Sequence, residues 1–480
     1  MKKKKRVRII SRIINFLSII CLAFFLYKLY VSNMIPTKYL VLISLVLVIP
    51  EIIYTLFCFN KKTKRWLLIF CDVVAVIFLV IELFGALKLG QALDFIDKNL
   101  KLDYKEDLYY VVVNDSSNIT KLNQISKVYY YDESVDVDKL EKEINKKADV
   151  SLNKASDYST LLNSVMNDTQ YVIVLHSSNY ESLIDMDEKY KDGLRIIDKI
   201  SLKTIAKKTK TVNKDLTNTP FTIYLSGIDT RSGTMPNRSL SDVNMVVVVN
   251  PNTHKVLLVS TPRDYYVQLH GTTGLKDKLT HAGMIGGLEM SKATVEDIYG
   301  LNLDYYVRVN FNAVIKLVDA VGGINLYSDV NYRFSCWTDR SCVFKPGDNF
   351  VKGKCALAFA RERHAYASGD RHRGENQQQV IKVLLDKLTS PGSILSNYSN
   401  ILNSLEGTFE TSFTQKDITS LINYQIDKMP SWAVESISVD GTSSSQPTNS
   451  YPHQSLSVMI PKEDTIVAAK QKISEIINEK

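Results

Sequence analysis

The sequence predicts an α/β protein in three parts: three N-terminal transmembrane helices, a small α/β accessory domain, and an α/β sandwich built on a central mixed sheet. Three observations carry this expectation. Apolar residues concentrate in roughly the first ninety of 480 positions. From Phe221 onward, β-branched runs alternate with segments of helical periodicity. A polar stretch ending in proline, 204–220, separates that pattern from a smaller one before it.

The apolar runs are Ile13–Val31, Tyr39–Phe59 and Trp66–Leu87, interrupted by Lys28, by Glu51, and by Asp72 and Glu82. Each approaches the roughly 20 residues that cross a bilayer as a helix. A cleaved signal peptide fits less well, because the first run lacks a small-residue cleavage site and two more runs follow at once. Of the charges behind the net +8, eleven cations flank these runs: Lys2, Lys3, Lys4, Lys5, Arg6, Arg8, Arg12, Lys61, Lys62, Lys64 and Arg65. The remainder therefore carries −3. Cations flank membrane segments on the cytoplasmic side, so residues 1–12 and the 61–65 loop are expected inside, and everything beyond about residue 88 outside, as in a multi-pass protein of the cell membrane. A lysine-rich tail can also bind nucleic acid; directly before a membrane-length segment the membrane reading is preferred, and no nucleic-acid partner is expected. Asp72 and Glu82 are costly in lipid and should face other helices or an interface.

Residues 100–215 form the accessory domain, with strands at Tyr109–Val113 and Gln170–Leu175 and a charged helix over Val137–Lys147. No set of residues there has catalytic spacing, so a spacer or interaction role is expected. In 221–390 the runs FTIYLSG, MVVVVNP and KVLLVST read as strands. Met290–Tyr299, Asn312–Val321 and Asn376–Leu388 read as helices, and Gly323–Leu326 as a further strand. This alternation predicts a central sheet covered by helices. In ALAFARER the alternation of Leu357 and Phe359 with Ala356, Ala358 and Ala360 predicts a strand that sets Arg361 and Arg363 on one face. Residues 391–480 are expected as an extension packing on this domain, with a serine-rich loop at Gly441–Ser450 and a final helix over Lys462–Glu479.

Cys21, Cys58 and Cys71 lie in the apolar runs and read as small hydrophobes. Outside the membrane, Cys336 and Cys342 are expected to form a disulfide, leaving Cys355 unpaired, although spacing does not decide the partner. No C-x-x-C pair, Walker motif or dinucleotide glycine motif is present.

The chemistry-bearing residues gather at strand ends, where α/β folds place ligands. Asp229 follows one strand, Asp242 begins another, and Arg263 and Asp264 close a third. Arg361, Arg363, Arg371 and Arg373 follow within thirteen positions. Guanidinium forks match phosphate oxygens, and the cluster suggests an anion site, against the plainer reading of arginines neutralised by neighbouring acids such as Glu362. Asp229 and Asp242 are candidates for a hard cation, against the plainer reading of turn or cap residues.

In chain order the motifs are GIDTR (Gly227–Arg231), RSLSD (Arg238–Asp242), STPRDYYV (Ser260–Val267), DKLTHAGMIGG (Asp277–Gly287), VNFNAVIKLVDAVGGINL (Val309–Leu326), and ALAFARERH followed by GDRHRGENQQQV (Ala356–His364, Gly369–Val380). Together, over about 221–387, they resemble the LytR–CpsA–Psr family of Gram-positive bacteria, and the three apolar runs with the small domain look most like its capsule-associated CpsA branch. The resemblance implies an enzyme that moves a glycopolymer, capsular polysaccharide in that branch, from a polyprenyl-pyrophosphate carrier to peptidoglycan as a phosphodiester. It implies Mg²⁺ on Asp229 and Asp242, and a phosphate grip by Arg263, Arg361, Arg363 and Arg373 with Gln377. Lys278 would lie at the edge of that site and Asp370 would be the general base. The prenyl tail would occupy an apolar tunnel between sheet and helices. Polysaccharide polymerisation or kinase proteins are further expected partners. Asn376 stands where many relatives have a second arginine, and Thr261 and Val243 also depart from the common pattern. Two other readings remain open: a non-catalytic membrane regulator of polysaccharide synthesis, and a hydrolase in which water replaces the acceptor sugar.

Overall fold

Apolar segments in lipid fold as helices because each backbone N–H and C=O must be satisfied within the segment. In the computed structural model, which describes residues 2–100, 104–131, 135–186, 188–205, 212–228, 235–333, 342–366, 369–390 and 407–480, the three runs form α1 (Lys2–Ser32), α2 (Thr37–Phe59) and α3 (Arg65–Leu100). All three are long and apolar enough to cross a membrane. Their acids turn inward. Asp72 accepts hydrogen bonds from Ser11 Oγ and Tyr54 OH, and Glu51 accepts from Asn15 and Ser18; Glu82 is buried. Pairing with neutral donors on neighbouring helices lowers the cost of carboxyl groups at this depth. The C-terminal part of α3 packs Ala92 and Leu93 against Met34 and against Phe409 and Ile418 from far along the chain.

The small domain comprises β1 (Tyr104–Asn114), β2 (Lys127–Tyr130), α4 (Val137–Asn145), β3 (Ser151–Lys154), α5 (Tyr158–Asn167), β4 (Ile173–His176), α6 (Ser177–Met186), α7 (Glu188–Gly193) and β5 (Leu194–Ile205). Its sheet runs β3-β2-β4-β1-β5. Strand side chains alternate with period two, and β1 uses both faces. Tyr109, Val111 and Val113 pack toward α4, while Tyr110 and Val112 pack toward α5 and α6. Asp136 and Asp157 cap α4 and α5 by accepting from Lys139 N and Thr160 N.

The large domain follows as β6 (Phe221–Ile228), β7 (Ser241–Asn250), β8 (Lys255–Thr261), β9 (Tyr266–Val267), β10 (Asp277–Lys278), α8 (Leu279–Ile285), α9 (Gly287–Tyr299), β11 (Tyr305–Asn310), α10 (Phe311–Ala320), β12 (Ile324–Ser328), β13 (Tyr332–Arg333), β14 (Val343–Phe344), β15 (Gly347–Val351), α11 (Gly353–Arg361), α12 (Asp370–Thr389), β16 (Phe409–Thr411), α13 (Gln415–Lys428), β17 (Ala433–Ser438), β18 (Gly441–Pro447), β19 (Ser455–Pro461) and α14 (Glu463–Asn478). The central sheet is mixed, ordered β16-β11-β6-β7-β8-β17, so its outer strands come from beyond residue 390. One face buries Tyr224, Val246, Val248, Leu257 and Val259 under α9 and α14. The other presents Leu225, Met245, Val247 and Leu258 toward α12.

Three expectations need correction. ALAFAR is not a strand but helix α11, because alanine is the strongest helix former and has no bulk to fix a strand face. The serine-rich 441–447 stretch is strand β18, paired antiparallel with β19, which supplies the partner its composition conceals. The disulfide joins Cys342 to Cys355, not to Cys336 as expected, with Cα atoms 5.5 Å apart: the approach of β14 to α11 brings these two together. Cys336 itself lies outside the described residues.

Candidate functional site

Helix α12 organises the site. Arg373, Gln377, Val380, Leu384 and Leu388 recur at helical spacing and line one side of a cavity of about 350 Å³. From Arg373 to Leu388 that stripe spans about 22 Å at 1.5 Å per residue. The opposite wall is the sheet, through Leu225, Val243, Val307 and Val309, and α10 and α11 contribute Leu317, Leu357 and Ala360. Gly227 is required where β6 meets β7, since a Cβ there would come within 2.6 Å of Val243 Cγ2. A second apolar cavity of about 410 Å³ shares Leu385 and Leu388 and continues under α13.

Apart from Asn310 at the end of β11, the polar lining lies where the N-terminal half of α12 meets the start of β7 and the end of α11. There Asp242, Arg361, Arg373 and Gln377 face the cavity. Asp242 is ion-paired with Arg263, Nη1 to Oδ1 2.8 Å. Burial by itself would raise the Asp242 carboxyl, but the guanidiniums of Arg263, Arg373 and Arg361 hold it below the usual carboxylate range. Arg361 lies with its Cζ 4.4 Å from the centroid of the Phe311 ring, which fixes the guanidinium over an apolar wall. Lys278 Nζ pairs with Asp264 Oδ1 at 3.1 Å beside Arg263, and Arg263 and Lys278 hold the partly buried Asp264 carboxyl below its usual range against desolvation. Asp242, Arg263, Lys278, Arg361, Arg373 and Gln377 are thus gathered at one polar end.

Arg363 is not among them. Helix α11 ends at Arg361, and the buried Glu362 carboxylate turns the chain by accepting from His364 N and Ala365 N. Arg363 is exposed, its Nε donating to His364 Nε2 at 3.2 Å. The same-face argument for Arg361 and Arg363 rested on a strand that is not there. Asp229 lies outside the described residues. Asp370 opens α12, and its side chain is likewise outside them. Among the described residues no group of three or more His, Cys, Asp or Glu side chains is placed to hold a metal.

Sequence reasoning missed Phe311 and named Asp264, Asn376 and Thr261 without the contacts they make here. Phe311 supports Arg361, and Asp264 links Arg263 to Lys278. Asn376, at the position many relatives fill with arginine, is buried and donates to Phe359 O at 3.0 Å, tying α12 to α11. Thr261 hydrogen-bonds Tyr299 OH at 2.8 Å under the sheet. The Arg373-x₃-Gln377-x₂-Val380-x₃-Leu384 spacing was the one signal from which the cavity stripe could have been read.

Three helices long enough to cross a membrane and an α/β domain whose apolar cavity ends in arginines and a carboxylate define the class of protein. The LytR_cpsA_psr family model matches residues 195–472, and the chain belongs to the LytR–CpsA–Psr family. It is 35% identical over 196 residues to the polyisoprenyl-teichoic acid–peptidoglycan teichoic acid transferase TagU of Bacillus mycoides, covering 41% of this chain and 61% of that protein. It is 32% identical over 235 residues to biofilm regulatory protein A of Streptococcus mutans, covering 46% and 57%. These curated relatives are thus matched over about three fifths of their length. Among solved structures, protein gbs0355 from Streptococcus agalactiae aligns at 28% identity with a TM-score of 0.47, covering 55% of this chain and 89% of that one.

Proposed function

We propose that this chain is an extracytoplasmic phosphotransferase that moves a glycopolymer from a polyprenyl-pyrophosphate carrier onto peptidoglycan. The observation that supports this most is the cavity, apolar along α12 and ending in Asp242, Arg361 and Arg373. A prenyl pyrophosphate has the same two parts. The two adjoining cavities would take the tail, and the three-helix anchor keeps the site beside a substrate that stays in the bilayer. The name of the Bacillus mycoides relative, which specifies a polyisoprenyl-linked donor and peptidoglycan, agrees with this reading. Capsular polysaccharide is the glycopolymer we propose.

In the reaction an acceptor sugar hydroxyl attacks the phosphorus that carries the glycan. The new P–O bond is the phosphodiester, the P–O–P bridge breaks, and its electron pair leaves on polyprenyl phosphate. The hydroxyl proton passes to a base, for which Asp370 is the candidate. Such transfers depend on positioning and charge neutralisation more than on covalent help. Arg263, Arg361, Arg373 and Gln377 would hold the phosphates, with Lys278 at the margin; Arg363, exposed nearby, would reach the glycan side of the pyrophosphate. The donor set suits Mg²⁺, which takes one or two carboxylates with phosphate oxygens and water. Asp242 would supply one, and Asp229, next in sequence after β6, the second. When bound, Mg²⁺ would neutralise charge on the pyrophosphate.

The test is transfer by the purified full chain, using a polyprenyl-pyrophosphate oligosaccharide, peptidoglycan fragments and Mg²⁺, with products identified by mass spectrometry. A phosphodiester-linked product that disappears in Arg361→Ala supports the assignment. Free oligosaccharide phosphate alone would mean hydrolysis, and lipid that binds without turnover would mean a regulator.

A further inference from the structure

Strand β1 of the small domain reaches beyond its own sheet. Asp107 on β1 is 4% exposed, and its Oδ1 accepts the backbone N–H groups of Asn237 at 3.0 Å and Arg238 at 3.3 Å. It also meets His176 Nε2 at 3.3 Å. Ser178 N donates to His176 Nδ1, which makes that nitrogen an acceptor and leaves the neutral ring's proton on Nε2, directed at Asp107. Burial works to raise the Asp107 carboxyl, but His176 and Arg238 hold it below the usual range. A charged acceptor therefore faces two amides in a buried seam, where charge-assisted hydrogen bonds are strongest.

The segment so held leads into the site. Pro236 O accepts from Arg308, a fully buried arginine on β11. Ser239 N donates to Gly283 O at 3.1 Å. Asp242 follows three residues later, already on β7. A second tie runs parallel: Lys105 of β1 pairs at 2.7 Å with Glu410 of β16, and Glu410 lies 3.6 Å from Arg308. Arg238 adds a hydrogen bond to Tyr109 OH at 2.7 Å. Four consecutive residues, Pro236 to Ser239, are thus each fixed, and the small domain supplies the contacts of two of them.

We propose that Asp107 is a positioning residue for the anion end of the cavity: by binding the Asn237 and Arg238 amides it fixes the segment that delivers Asp242, so the small domain is a working part of the site and not a spacer. Its kinetic consequence rests on the transfer reading; its structural consequence does not. Asp107→Ala removes the acceptor, whereas Asp107→Asn keeps one carbonyl oxygen for the two amides. Three measurements on the full chain follow. Hydrogen exchange of the 235–242 peptide should accelerate in Asp107→Ala while the β7 peptide stays protected, and Asp107→Asn should restore much of the protection. The Kd for inorganic pyrophosphate should rise about tenfold in Asp107→Ala, again with recovery in Asp107→Asn. In the transfer assay kcat/KM for the lipid donor should fall about tenfold in Asp107→Ala and recover in Asp107→Asn. Unchanged exchange at 235–242, or faster exchange with pyrophosphate affinity intact, overturns the proposal. If the unaltered protein binds pyrophosphate but transfers nothing, the transfer reading falls, and the first two measurements still decide the role of Asp107.

Discussion

Replacing Arg263 with glutamine takes from the Asp242 carboxylate a cation that is ion-paired with it. The pair is 2.8 Å apart, with the Asp242 side chain 10% exposed and that of Arg263 22% exposed. Removing one partner of a buried ion pair costs about 3–5 kcal/mol. Arg373 and Arg361 still act on the same carboxylate, so about 3 kcal/mol, the low end, is expected. For a domain of this size each kcal/mol moves the midpoint by about 2–4 °C, giving a drop of about 6–12 °C. The pH dependence follows from the depressed folded value of Asp242. Its contribution is present above the unfolded value of about 3.9 and is lost as pH falls through the folded value. In Arg263→Gln burial is less opposed, the folded value moves up, and the loss starts at higher pH. Melting of the purified protein, followed by fluorescence from neutral pH downward, should show a gap between the two proteins that is full at neutral pH and closes in acid. Equal midpoints at neutral pH, or a gap that widens in acid, would refute the reasoning.

Other expectations are simpler. Val380→Trp fills the cavity where Val380 is 3% exposed; lipid retained through purification, measured by mass spectrometry, should fall about tenfold, a change of about 1.4 kcal/mol, while the fold persists with the modest cost of overpacking. Asn376→Ala removes one of two donors to Phe359 O, which keeps the Glu362 N–H, and should destabilise by about 0.5–1.5 kcal/mol in thermal melts. Cys355→Ser opens a link of sequence separation 13 and should lower stability by about 3 kcal/mol; non-reducing peptide mapping of the intact protein should recover Cys342 and Cys355 in one cross-linked species.

The parts of the fold that read from sequence are those where one local signal agrees with the tertiary result. MVVVV in β7 is apolar on both sides because both sheet faces are covered, and α10 carries its own cap, with Asn310 accepting from Ala313 N. The apolar helices declare themselves by length. Misreadings arose where a residue's neighbours decide. Alternating alanines in α11 satisfy either period, and helix propensity together with packing against α10 and α12 selects the helix. Serines of β18 gain strand geometry from β19. The disulfide partner is set by how β14 approaches α11, which spacing does not encode. At the site, residue types were legible and their convergence was not: Arg361 and Arg363 differ by two positions yet one lines the cavity and the other faces solvent. Backbone amides of Asn237 and Arg238 binding a carboxylate 130 residues away leave no mark in the sequence at all.

The central claim is that the anion end of the cavity transfers a pyrophosphate-linked glycan to a sugar hydroxyl. Phosphorus NMR of one reaction, with the full chain, Mg²⁺, a polyprenyl-pyrophosphate oligosaccharide and peptidoglycan fragments, follows every phosphorus atom. The account predicts that the pyrophosphate signals decay into equal amounts of a phosphodiester and a prenyl monophosphate, and that Asp242→Ala leaves them untouched. Pyrophosphate signals that persist in the unaltered protein, or that decay into two monophosphates with acceptor present, would contradict it.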